Sequence, residues 1–126
     1  MTSQKVVELE LSRLSELQEL EDTGATGLID SLVSDFSEHA PLLLIAVEQG
    51  FAKRDHDAIR FACHSMKSSS GALGAKDLSE ASGRLEEAAT ARTEFELLQS
   101  DLLALPHLLT SSLDALKAYA SKSKAA

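Results

Sequence analysis

The 126-residue chain contains one cysteine, two prolines, five aromatic residues and no tryptophan. Cys63, being alone, can form neither an intrachain disulfide nor a zinc site of several thiolates. With so few rings, a stacking platform for bases or sugars is not expected. β-Branched residues are also scarce: 4 Val and 3 Ile stand against 22 Leu and 18 Ala, a balance that favours helix and excludes an all-β or α/β fold. Basic residues number 12 against 20 acidic ones, a net charge of −8. A negative surface repels phosphate backbones and anionic lipids, so neither nucleic acid nor membrane is an expected partner. No apolar run approaches the ~20 residues that span a bilayer, and the first residues lack a signal-peptide core. A cytoplasmic location is expected.

What is present is helical periodicity. The length suits one domain, residues 1–126, with a core from about 9 to 119. Val7, Leu11, Leu14 and Leu17 recur at steps of four and three, predicting a first helix from Lys5 to Leu20 that ends at Asp22-Thr23-Gly24. Leu28, Ile29, Leu32, Val33 and Phe36 form the stripe of a second helix. Pro41 suits the first turn of a third, with Leu43, Leu44, Val47 and Phe51 inward. Asp55 is a candidate N-cap for a fourth helix that runs to Leu73 and is closed by Gly74. A fifth spans Lys76 to Ala91, and a last pattern spans Thr93 to Tyr119, where Pro106 should kink or split it. Residues 121–126 lack an apolar anchor and should fray. Short turns imply antiparallel neighbours, hence an all-α, up-down antiparallel four-helix bundle with additional N-terminal helices.

The fourth helix carries the chemistry. With His64 at zero on a helical wheel, Ile59, Ala62, Cys63, Met66, Ser69, Ser70 and Leu73 fall between ~140° and ~260°, the buried side. His64 therefore faces solvent, and Cys63 faces inward as packing. Asp57, Arg60, Phe61, Lys67, Ser68 and Gly71 lie within ~60° of the imidazole. Phe61 is a large ring outside the core, as a contact surface requires. Ser68 and Gly71 present almost no bulk, and a mid-helix Gly costs ~1 kcal/mol relative to Ala, which an access role would rationalise. Arg60 at i−4 and Lys67 at i+3 share the face of the ring. An exposed neutral imidazole offers one ring nitrogen as nucleophile, and phosphoryl transfer needs chiefly positioning and charge stabilisation. His39, His56 and His107 read as ordinary solvated histidines.

The stretch Phe61–Ala75, FACHSMKSSSGALGA, resembles the signature of the histidine-containing phosphotransfer (HPt) domain family. The matching positions are His64, Met66, Lys67, Ser68, Ser69, Ser70, Gly74 and Ala75, followed by Leu78 and the Leu85-Glu86 pair. Upstream, Ala40-Pro41, Arg54-Asp55 and Ala58-Ile59 match without gaps. The family's usual Gly after the Lys is Ser68 here, still small but altering the closest approach. The resemblance implies that His64 accepts a phosphoryl group from a receiver-domain aspartate or a hybrid histidine kinase and passes it to another receiver. From their places on the wheel, Lys67 and secondarily Arg60 are expected to stabilise charge, and Phe61, Ser68 and Gly71 to serve docking and access. By the same resemblance magnesium comes with the receiver, and this chain binds no cofactor or metal of its own. No kinase activity is implied, and no glycine-rich phosphate cradle is present.

Three alternatives remain. A dimerisation and phosphoacceptor domain of a histidine kinase would carry an acidic residue after the His and a Pro soon after, where Ser65 and no Pro stand. A metal enzyme would need inward Glu-x-x-His pairs, and no two His lie at i,i+4. A helical adaptor that binds a receiver or a helix without chemistry would leave His64 incidental.

Overall fold

The computed structural model describes residues 7–125, with side chains through residue 122. Among the described residues five helices follow one another: α1 (Leu11–Asp22), α2 (Leu28–Ala52), α3 (His56–Ala72), α4 (Lys76–Thr90) and α5 (Phe95–Ala125). Helices α2 to α5 pack in a closed ring, each against the next and α5 back on α2, and α1 lies against α2. This is the all-α up-down bundle, with one N-terminal helix added among the described residues rather than several.

That difference arises at Pro41, which starts no new helix but sits inside α2. Proline removes a helical hydrogen bond and costs ~3 kcal/mol in isolation. Here Ile29, Val33, Phe36, Ala40, Val47 and Gly50 form one buried stripe on both sides of it, and packing of that stripe holds the helix continuous. Pro106 likewise lies within an unsplit α5, where Leu98, Leu105, Leu109 and Leu116 are buried along one side. Past residue 121, α5 continues to Ala125, and no Gly or Pro interrupts it.

The first helix begins at Leu11, not Lys5, which lies outside the described residues. Upstream, the chain runs extended over the turn after α3: Leu9 bridges Ala75, the Glu10 N–H donates to the Gly74 carbonyl at 2.7 Å, and the Glu8 N–H donates to Asp77 Oδ2 at 2.9 Å. Val7 and Leu9 therefore pack as alternate residues of an extended segment, whereas Leu14 and Leu17 are the buried pair of α1. Arg13 Nε donates to the Ala72 carbonyl at 2.8 Å and ties α1 to the end of α3.

Both ends of α3 are closed as their residues dictate. The Asp55 side chain accepts from the Ala58 N–H at 3.1 Å. Gly74 adopts φ +75°, with the Ala75 N–H on Ser70 O at 2.9 Å and the Gly74 N–H on Gly71 O at 3.1 Å, a Schellman closure. A side chain on Gly74 would also collide with the Glu10 carbonyl, 2.8 Å from its Cβ position. Two further helices close in the same way on arginines. Arg54 (φ 56°) ends α2 and Arg92 (φ 58°) ends α4. Among the described residues, no helix is long and apolar enough to cross a membrane.

Candidate functional site

Along α3, Ile59, Ala62, Cys63, Met66 and Ser70 are buried, with Leu73 at its C-cap, which leaves the opposite face to His64. Ser69, expected on the buried side, is only half-buried because it borders the groove toward α2. The His64 side chain is 61% exposed. Its Nδ1 lies 2.7 Å from Glu86 Oε2 on α4. A carboxylate only accepts, so Nδ1 carries the proton and donates it. In the neutral ring Nε2 then holds the lone pair, on an imidazole standing in solvent.

The other oxygen of the same carboxylate, Oε1, lies 2.6 Å from Lys67 Nζ. One carboxylate thus joins the imidazole to the ammonium that follows it by one turn. Glu86 is itself only 17% exposed. The Lys67 ammonium, and after it the His64 hydrogen bond, hold the Glu86 carboxyl below its ordinary range against the opposing effect of burial. Cys63, fully buried next to His64 in sequence, is affected the other way: burial first, and then the negative charge of Glu86, push its thiol up to about 12.

The remaining residues expected at the site divide. Phe61 is 70% exposed, one turn before His64. Arg60 does not turn to the imidazole; its guanidinium lies 5.7 Å from the Phe61 ring centroid, with Nε 3.8 Å from Asp57 Oδ1. Asp57 is also engaged by Arg92 at 3.0 Å, so the cation at i−4 is drawn toward the start of α3. Ser68 is exposed one turn beyond His64. Gly71 faces α4: a Cβ there would come within 3.2 Å of Ser79 Oγ, so its small size serves helix approach. Beside the His64 face, a groove of about 430 Å³ runs between α2 and α3, lined in part by Leu32, Phe36, Leu43, Ser65 and Ser69.

The other histidines are not all bystanders in water. His56 is half-buried, donates Nε2–H to the Thr93 carbonyl at 2.7 Å, and lies 4.2 Å from the Phe95 ring centroid. Its sequence position at the first turn of α3 gave no sign of a partner 37 residues away. His39 is exposed and bonds its own helix at the Asp35 carbonyl, and His107 lies 3.4 Å from Ser111 Oγ.

Two residues of the site escaped the wheel of α3 because they belong to α4. Glu86 was visible only as the second half of the Leu85-Glu86 pair. Gly83, whose Cβ position lies 3.2 Å from Lys67 Cδ, was not singled out at all. The available signal was the row Ser79, Gly83, Glu86 at i, i+4 and i+7, two small residues and a carboxylate on one side of α4.

A family model described as Hpt domain matches residues 31–119. No curated protein and no solved structure matches the chain at the significance required.

Proposed function

The chain belongs to the Hpt domain family, whose role is histidine phosphotransfer in a phosphorelay, and from that premise we propose that His64 is the atom-bearing carrier. It takes the phosphoryl group from a receiver-domain aspartate, or from a hybrid histidine kinase, and passes it to another receiver. The exposed imidazole with Nδ1 tied to Glu86 is the observation that supports this reading.

In the forward step Nε2 attacks phosphorus, the N–P bond forms, and the P–O bond to the receiver's aspartate breaks, its carboxylate leaving with the electron pair. The ring keeps the proton on Nδ1 and becomes cationic. Glu86, already accepting that proton's hydrogen bond, stabilises the new charge. Lys67 sits on the same carboxylate and supplies positive charge beside the phosphoryl oxygens. Discharge is the reverse sequence onto a second aspartate. The receiver supplies magnesium along with its aspartate, and the exchange takes place in the cytoplasm. This chain contributes the nucleophile and no ATP-dependent activity of its own.

The test is incubation of the purified chain with a receiver carrying a radioactive acyl phosphate. Label appears on the chain, is lost in acid and survives base, and moves on when a second, unphosphorylated receiver is added. Label that resists acid, or no label from any receiver, ends the proposal.

Docking falls to the surface around Phe61, with Ser68 leaving the approach open. Phe61→Ala is expected to slow transfer from the receiver by about tenfold, the scale of a moderate interface anchor. The helical circular dichroism stays at the wild-type value because the ring is outside the core. Transfer at the wild-type rate would move the docking surface elsewhere.

A further inference from the structure

Three residues of α4 meet three parts of Lys67. Ser79 Oγ donates to the Lys67 carbonyl at 3.0 Å. Gly83 lies under the stem, its Cβ position 3.2 Å from Lys67 Cδ and 3.9 Å from Cγ. Glu86 takes the ammonium at 2.6 Å. Opposite Ser79, Gly71 lacks the side chain that would crowd the Ser79 hydroxyl, which lets α3 and α4 approach at this level. An exposed lysine in an ion pair ordinarily gains little, because ordering its long stem offsets the attraction. Here the stem has a surface to lie on, so less freedom is left to lose.

We infer that Gly83 is a positioning residue for phosphotransfer: its missing side chain seats the Lys67 stem against α4 so that the ammonium stays beside His64. Glycine is the poorest helix former after proline, and Gly83 stands in the middle of α4. Its presence there costs helix stability, which the seat accounts for. The catalytic part of this inference rests on the carrier reading above; the seat itself does not.

The full chain is labelled with phosphoramidate, a small donor that needs no receiver surface. Wild type is compared with Gly83→Ala and Gly83→Leu, each alone and combined with Lys67→Ala, and with His64→Gln as control. Gly83→Leu, which fills the seat, is expected to label about tenfold more slowly, the scale of a misplaced positioning group, and Gly83→Ala by less. Both variants melt at or above the wild-type temperature, since Ala and Leu are better helix formers. A role in folding alone would instead make activity follow stability. With Lys67→Ala present, Gly83→Leu brings no further loss. In Gly83→Leu the Glu86 carboxyl, followed by carbon-13 NMR, titrates nearer its ordinary range because Lys67 has been displaced. Wild-type labelling of Gly83→Leu, an undiminished effect in the Lys67→Ala background, or wild-type labelling of Lys67→Ala itself overturns the positioning role. Label persisting in His64→Gln overturns the carrier reading instead; the Glu86 titration then judges the seat, and an unmoved value in Gly83→Leu rejects it.

Discussion

His64→Gln takes labelling by a phosphorylated receiver down to the background of a blank. The loss exceeds about a thousandfold, because the substitution removes the nucleophile, and positioning and charge alone cannot replace the bond-forming atom. A glutamine amide nitrogen has its lone pair delocalised into the carbonyl and does not attack phosphorus. The fold survives. The ring is mid-helix and 61% exposed, and glutamine is a good helix former, so unfolding free energy stays within about 0.5 kcal/mol of wild type. Labelling and thermal unfolding on one sample check both statements. A non-catalytic adaptor predicts that receiver binding and signalling continue unchanged in this variant. Retained signalling would decide for the adaptor.

Glu86→Ala is the second large effect. It removes two constraints at once, the hydrogen bond that keeps the proton on Nδ1 and the anion that holds Lys67. A freed imidazole populates both tautomers, so only part of the molecules present a lone pair at Nε2. The cationic ring formed on phosphorylation also loses its counter-charge. A drop of about 10- to 100-fold in labelling rate is expected, the range for removing a carboxylate that orients a working histidine at an exposed position. Glu86→Gln falls between, since its amide oxygen still accepts from Nδ1–H but no longer attracts the ammonium. Wild-type rates in Glu86→Ala would separate this carboxylate from the chemistry. The same residue has a pH signature. Its folded-state pKa is lowered, so its contribution to stability is present above the ordinary glutamate pKa of the unfolded chain and is lost as pH falls through the lowered folded value. The difference in melting temperature between wild type and Glu86→Gln should therefore be steady near neutrality and vanish in acid. A difference that grows as pH falls would contradict the assignment.

Much of α3 was legible before any coordinates, because its information is local. Six of the seven residues of the expected buried side, the Asp55 cap and the Gly74 closure are all written within one helix and its two flanking turns, and a wheel reads them directly. The errors lie where distant packing overrides a local rule. Pro41 looks like a helix start, yet the stripe from Ile29 to Gly50 crosses it. Val7 fits a helical period with Leu11, yet backbone bonds to Gly74 and the Asp77 carboxylate hold that segment extended. Arg54 and Arg92 take left-handed positions usually given to glycine, each with an aspartate or glutamate to engage its side chain. The site divides along the same line. His64 and Lys67 share a helix and were paired by spacing. Glu86 and Gly83 reach them across an interface that no single wheel contains.

Cys63 adjoins the phosphoacceptor on the inner side of the same helix, with no surface of its own exposed and its proton held tightly. At neutral pH a thiol-modifying reagent meets a reactive sulfur only in the molecules whose α3 has momentarily come away from its neighbours. The chain thus carries a native reporter of how often the bundle breathes, and its rate of modification measures whether a charged His64 or a docked receiver tightens the helix that bears it.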